Sequence, residues 1–225
     1  MLYIVPTPLG NLGDITARAQ EQLSACDFII AENPLTTGKL LKLLGLPKKP
    51  LVQFADHNER LVTDKYIARL ANETACLVSD AGTPGISDPG FRLVRAAHAA
   101  SIEVVALPGA NAATTALSAS GLPTDRYMFA GFFPKTEHKV VELVNQAKTA
   151  EATLVTYESP QRIIKTLQYI EKNFPEVHCV VARELTKLHE EYLTGTPTEL
   201  LEKLNGKLKT SPSIKGEITF LLSFK

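Results

Sequence analysis

Short apolar runs alternate with amphipathic stretches along the first half of the chain. Leu2–Val5, Phe28–Ala31, Leu51–Phe54, Ala75–Val78 and Glu103–Leu107 have the near-continuous hydrophobicity of buried strands. Between them the spacing changes to the helical period. Ile15–Leu23 is amphipathic, and Leu40, Leu41, Leu43 and Leu44 mark a short helix closed by Gly45 and Pro47. Asn58–Leu70 places Leu61, Tyr66, Ile67 and Leu70 on one face, and Phe91–Ala100 and Ala112–Ser120 complete the helices. Strands separated by helical crossovers predict a mainly parallel α/β sheet.

Gly121–Asp125 is turn chemistry after a helix and reads as a joint, giving domains 1–117 and 118–225. Beyond it the pattern predicts strands at Tyr127–Ala130, Ala152–Thr156, His178–Ala182 and Glu217–Phe224. Helices are expected at Val140–Ala147, Pro160–Lys172 and Thr198–Leu204, the second with proline in its first turn. The second domain is therefore also α/β, with antiparallel pairings open and its strand order unassigned.

The 225 residues suffice for two small domains, and a hydrophobic share of 44% with 21% charged residues is that of a globular chain with a core. The net charge is +0, with 10 Lys+Arg against 11 Asp+Glu up to residue 117 and 14 against 13 after it. Neither half advertises a nucleic-acid partner by its overall field, so any RNA contact must be a local patch. Cys26, Cys76 and Cys179 show no ligand spacing; the first two fall in strand-like stretches and read as core residues. His178 and His189 have no partners at ligand spacing either, so no metal is expected. The odd cysteine count and an N-terminal apolar run too short for export or spanning point to a cytoplasmic protein without a membrane segment.

The loops at the strand ends of the first half are more informative. Strand one runs into Pro6-Thr7-Pro8-Leu9-Gly10-Asn11-Leu12-Gly13-Asp14. Strand four runs into Ser79-Asp80-Ala81-Gly82-Thr83-Pro84-Gly85-Ile86-Ser87-Asp88-Pro89-Gly90, and strand five into Pro108-Gly109-Ala110-Asn111-Ala112. Loops at the carboxyl ends of parallel strands line the ligand crevice of such sheets. Glycines there admit a ligand close to the backbone, and prolines hold the loop in advance of binding. Neither G-x-G-x-x-G nor G-x-x-x-x-G-K-[ST] is present, so the dinucleotide and P-loop fingerprints are excluded. Asp80 and Asp88 repel a pyrophosphate but accept hydrogen bonds from a ribose or an amine. A nucleoside carrying positive charge, such as S-adenosylmethionine, fits this chemistry.

L-Y-I-V-P-T-P-L-G-N-L-G-D-I-T, V-S-D-A-G-T-P-G-I-S-D-P-G and L-P-G-A-N-A resemble the ribosomal RNA small subunit methyltransferase I family, a branch of the tetrapyrrole (class III) methylases. S-G-L-P-T-D, G-F-F-P-K, Y-E-S-P-Q-R, R-E-L-T-K-L-H-E-E and K-G-E-I-T occur after them in the expected order, so the resemblance runs from about residue 2 to 222. It implies a two-domain fold with a mainly parallel N-terminal sheet and a mixed-sheet C-terminal domain. It further implies 2′-O-methylation of a cytidine ribose in 16S ribosomal RNA of the small subunit, by a homodimer with S-adenosylmethionine in the interdomain cleft. Carried over by position, cofactor contacts fall on Leu9, Gly10, Asp80, Ala81, Gly82, Asn111, Ala112, Tyr157 and Arg183. Three departures stand out. Glu32-Asn33-Pro34-Leu35 replaces the family's E-D-T-R, Gln161 stands where histidine comes after Y-E-S-P, and Lys135, His138 and Lys139 replace a denser basic loop.

A ribose hydroxyl is a poor nucleophile while protonated, so a positioned base or a nearby cation helps its methylation. Glu32, Glu158 and Glu184 are the candidate bases, with Asp80 assigned rather to the cofactor, and Arg183 and Lys187 are the candidate cations. Glu184 and Lys187 also have the spacing of a surface ion pair on a helix. Asp56 or His57 is expected to cap the helix that begins near Asn58, with Glu59 in its first turn. Arg162 could reach a phosphate. Two other readings share the residues: a methylase of this fold acting on a tetrapyrrole or a modified protein side chain, and a non-catalytic module binding S-adenosylmethionine or RNA.

Overall fold

Alternation within each strand of the first half decides which helices it packs against. In the computed structural model, which describes residues 1–209 and 212–225, the strands β1 (Leu2–Ile4), β2 (Phe28–Ala31), β3 (Leu51–Gln53), β4 (Ala75–Val78) and β5 (Val104–Ala106) are all parallel, in the order β3-β2-β4-β1-β5. Leu2, Ile4, Phe28, Ile30, Ala75 and Leu77 face one way and bury against α3 (Glu59–Leu70) and α4 (Phe91–Ala99). Their neighbours Val5, Ile29, Ala31, Cys76 and Val78 face the other way, against α1 (Ala17–Ala25) and α2 (Pro34–Leu43). This period-two division is what a sheet covered on both faces requires.

The helix expected at Leu40–Leu44 begins earlier, at Pro34. The Asn33 side chain accepts from the Leu35 amide and Pro34 occupies the first turn, so the residues that depart from E-D-T-R supply a helix start. Neither Asp56 nor His57 caps α3. Asn58 is its N-cap, and its side chain instead accepts from the Ala55 amide. Cys26 ends α1 rather than lying in a strand; all three cysteines are buried.

The chain divides into two units at Asn111/Ala112, earlier than the joint expected after residue 117. The difference is α5 (Ala112–Ala119), expected to close the first domain, which packs on strands of the second. That unit continues through β6 (Tyr127–Phe132), α6 (Glu137–Thr149), β7 (Thr153–Glu158), α7 (Ile163–Asn173), β8 (His178–Arg183), β9 (Glu191–Gly195), α8 (Pro197–Leu208) and β10 (Ile218–Ser223). Its sheet is mixed, in the order β6-β7-β10-β8-β9, with only β6 and β7 parallel. One face packs against α6, α7 and α8 through Val140, Val144, Ile163, Leu167, Ile170, Leu200 and Leu204. The strand β9 carries only a short apolar stretch, Tyr192-Leu193, too brief to show a period in the sequence. The α8 helix opens with a capping box between Thr196 and Glu199 and Pro197 in its first turn.

Among the described residues no helix is long and apolar enough to cross a membrane, and no group of three or more His, Cys, Asp or Glu side chains is placed to hold a metal ion.

Candidate active site

In the first unit, β1 and β4 are neighbours, yet their crossovers leave in opposite directions: β1 leads through α1 to β2, and β4 through α4 to β5. A crevice opens at the carboxyl ends of strands at such a switch point. The two loops there are stitched together. Thr7 and Gly82 exchange amide-to-carbonyl hydrogen bonds of 2.9 Å each, and the buried Thr7 hydroxyl donates to the Ser79 carbonyl at 3.1 Å. The Thr83 hydroxyl donates to the Ala110 carbonyl at 2.9 Å, tying in the loop after β5.

Two glycines make this approach possible. Gly82 has φ +80, and a Cβ there would sit 3.3 Å from Leu9 Cδ2. Gly109 lies so close beneath Pro6 that a Cβ would come within 2.7 Å of the proline ring. Leu9, Asp80, Ala81, Gly82 and the Pro108–Asn111 loop are thereby brought together, with Gly10 exposed beside Leu9.

Carboxylates converge on the same end of the sheet. The Asp80 amide donates to Glu32 Oε2 at 3.1 Å across forty-eight residues, which places Glu32 against the loop after β4. Desolvation raises Asp80 above the ordinary carboxylate range, offset in part by a hydrogen bond from Thr36. Asp88 is pushed up to about 6 by burial first and by the charges of Glu32, Asp80 and Asp56, while a hydrogen bond with Ser79 pulls it down. The ion pairs of this unit lie elsewhere, joining Arg69 to Glu73 and Arg92 to Glu59. A loop rich in backbone polar groups, with acid in surplus, fits the sulfonium, amine and ribose of S-adenosylmethionine and does not fit a phosphate.

Glu59, expected only as a charge at a helix terminus, is buried, and Arg92 donates to it at 2.5 Å. No signal in the sequence links those two positions, because the link is the packing of α3 on α4.

In the second unit the remaining candidates gather at one end of the mixed sheet, where Ile218 of β10 is flanked by Glu158 of β7 and Arg183 of β8. Their states differ from a simple base-and-cation set. Glu158 is buried and engaged on both oxygens: the Ser159 amide donates to one at 2.6 Å, and Thr166 Oγ1 and Arg162 donate to the other at 2.5 and 3.3 Å. Arg162 also donates to the carbonyls of Phe133 and Pro134 at 2.8 Å each, so its guanidinium is a structural clamp on the G-F-F-P loop rather than a solvated arm. Tyr157 packs edge-on against Phe129 and Phe132, with centroids at 5.0 and 5.7 Å.

Arg183 pairs with Glu191 at 3.2 Å and donates to the Lys215 carbonyl, while Lys207 takes the other Glu191 oxygen. Glu184 and Lys187 do pair, at 2.8 Å, but on a turn after β8 rather than on a helix. Glu184 stands at φ +53 and also accepts from the Glu217 amide. The Lys187 ammonium holds Glu184 below the usual carboxylate range. Burial pulls Lys187 down, but hydrogen bonds to Glu184 and Glu217 outweigh it and keep it above its ordinary value. Lys187 is thus a fixed cation and Glu184 a weak base, while Glu32 keeps one oxygen without a partner among the described residues.

Comparison with known proteins shows the family and the fold. The family model of the tetrapyrrole (corrin/porphyrin) methylases matches residues 1–201. A protein of Hydrogenobaculum sp. named ribosomal RNA small subunit methyltransferase I is 43% identical over 99% of this chain and 95% of its own length. A protein of the same name from Escherichia coli O157:H7 is 46% identical over 89% of this chain and 70% of that one. Among solved structures, a diphthine synthase superposes with a TM-score of 0.74 at 13% identity, covering 99% of this chain and 89% of that one, which shows a shared fold.

Proposed function

The chain belongs to the tetrapyrrole methylases and within them to the ribosomal RNA small subunit methyltransferase I family, and from that premise we propose that it transfers a methyl group from S-adenosylmethionine to a cytidine ribose 2′-hydroxyl of 16S ribosomal RNA. The observation that carries this reading is the 43% identity to the Hydrogenobaculum methyltransferase over nearly the full length of both chains. A cytoplasmic homodimer acting on the small ribosomal subunit is part of the same proposal.

When bound, S-adenosylmethionine supplies a methyl group on a positively charged sulfur. Leu9, Gly10, Asp80, Ala81, Gly82 and Asn111 are the proposed contacts in the first unit, where the Thr7–Gly82 hydrogen bonds hold the loops in place before binding. Ala112, Tyr157 and Arg183 are proposed contacts from the second unit, on the family resemblance. Methyl transfer is an in-line displacement, so alignment and exclusion of water do much of the work. Of the four groups assigned to catalysis, Glu32 has an uncommitted oxygen to accept the hydroxyl proton. Lys187 is a charged group suited to stabilising an alkoxide, and Glu184 orients it. Glu158 acts best as the anchor of the Arg162 clamp, because its oxygens already accept three hydrogen bonds.

Incubation of undermethylated small subunits with labelled S-adenosylmethionine, and then mapping of ribose methyls, tests the reaction. Label on a 16S cytidine ribose is expected. Cofactor binding without label on any RNA would instead favour a small-molecule, protein or non-catalytic role. In calorimetry, Asp80→Ala weakens cofactor binding at least about tenfold, and unchanged affinity in a folded variant would remove that loop from the site.

A further inference from the structure

The second unit carries an exposed aromatic ring, Phe132, that neither its core nor the proposed chemistry explains. On β6 the pairing with β7 shifts between Phe129 and Phe132: Phe129 lies opposite Val155 and Phe132 opposite Tyr157, so three steps on one strand match two on the other. Side chains alternate faces along a strand, and one extra residue reverses that alternation. The bulge, with Gly131 at φ +65, therefore brings Phe129 and Phe132 to the same face, both edge-on to Tyr157. The next residue, Phe133, turns the other way and is buried against Phe220.

Phe132 is 61% exposed, although hydrogen bonds hold the backbone that follows it. The Phe133 amide donates to the Tyr157 carbonyl at 3.0 Å, and Arg162, itself held by the buried Glu158, grips the carbonyls of Phe133 and Pro134. Immediately downstream, Lys135 and Lys139 are exposed. No hydrogen bond, ion pair or ring contact engages either side chain among the described residues. By contrast, Lys187 and Lys207, also in this unit, are committed to carboxylates.

An exposed aromatic ring beside lysines with no side-chain partner is the chemistry that recognises an unstacked nucleotide: the ring takes the base and the cations take the phosphates. We propose that Phe132, supported by Phe129 and Tyr157, is a stacking platform for a base of the substrate RNA, with Lys135 and Lys139 on the adjoining phosphates. Taking RNA as the occupant rests on the proposed methyltransferase function. The clamp formed by Glu158 and Arg162 positions the platform without touching the RNA.

The test measures binding of a fluorescent single-stranded oligocytidylate to the full chain at low salt, with cofactor affinity and sedimentation measured in parallel. Phe132→Ala is expected to weaken oligonucleotide binding about tenfold, the order of one lost base stack, while Phe132→Trp restores it. Lys135→Ala combined with Lys139→Ala reduces the slope of log affinity against log salt by about 1.4, as for two lost phosphate contacts to a single strand. Unchanged oligonucleotide binding by folded Phe132→Ala overturns the proposal. So does a loss confined to cofactor binding, which would assign the ring to the cofactor's adenine, or a change confined to oligomeric state, which would make this face a protein interface. If Phe132→Ala loses oligonucleotide affinity but small subunits are never labelled, the platform stands and the methylation reading fails.

Discussion

The two units hold their charged groups in opposite ways. At the carboxyl end of the parallel sheet, the loops are joined by backbone and hydroxyl hydrogen bonds, and Glu32, Asp80 and Asp88 converge there while the unit's ion pairs form elsewhere. At the end of the mixed sheet, Glu158, Glu184 and Glu191 are each matched to Arg162, Lys187, or Arg183 with Lys207. A surplus of carboxylate is a cost unless a cation arrives; matched pairs are complete without one. The first arrangement is therefore suited to a positively charged ligand, and the second to holding loops rigid.

Removing a member of a matched, buried pair should have the largest effect. Glu158→Ala leaves Arg162 beside two carbonyls without its carboxylate and takes the acceptor from Thr166, so it is expected to cost about 3 kcal/mol in denaturant unfolding of the second unit. A variant as stable as the parent would mean that the Arg162–carbonyl contacts hold the loop by themselves.

Next comes the backbone stitching of the first unit. Gly109→Ala drives a methyl into the Pro6 ring, which cannot rotate away, and separates the loops after β1 and β5. Cofactor affinity should fall at least about tenfold, with titration calorimetry as the readout and the fold retained by circular dichroism.

A smaller effect separates the units by pH. Because Asp88 sits near 6, above its ordinary value of 3.8, the folded first unit binds a proton that the unfolded chain has released between those values. Its stability contribution is complete below about pH 3.8 and is lost as pH rises through about 6. Affinity for a cationic cofactor moves the other way, rising about fivefold from pH 5 to pH 7 as the carboxylate ionises. Asp88→Asn should flatten both trends. In the second unit Glu184 and Glu191 lie below their ordinary value of 4.5, so their contribution is present above it and disappears as pH falls through the lower folded values. Asp27 and Glu73, held below their ordinary values, give the first unit the same acid-side loss, so the contrast lies above pH 4.5. From there to about pH 6.5 the first unit should lose stability and the second should not, and parallel unfolding curves over that range would remove the contrast.

The smallest change is a control. Gly206 lies in α8 with open space where a Cβ would go, and Gly206→Ala should stabilise the second unit by about 0.5 kcal/mol without touching cofactor affinity.

Strong local patterns carry through into the fold. The strands at Phe28–Ala31 and Ala75–Val78 have the bounds that their sequence pattern predicts, because continuous apolar runs between turn signals leave few alternatives. The loops after β1, β4 and β5 are legible in the glycine and proline placement, and the fold ties them together at one end of the sheet. Less is readable where partners are distant. Glu59 and Arg92 are thirty-three residues apart, and nothing in either segment announces a partly buried ion pair. Arg162 has the pattern of a solvated arginine because its carbonyl partners belong to a loop twenty-eight and twenty-nine residues away. The helix Ala112–Ala119 is legible, but its side of the boundary depends on which sheet it packs against.

By itself the sequence determined the alternation of strands and helices, the glycine-laced loops and the membership of a methyltransferase family, since each is written in contiguous residues. Only the tertiary structure decided which carboxylates are bound and which remain available. The difference between Glu158, closed off by three donors, and Glu32, open at one oxygen, lies in what the fold brings to each. That is set by strand order and helix packing, interactions between residues too far apart along the chain for local pattern to encode.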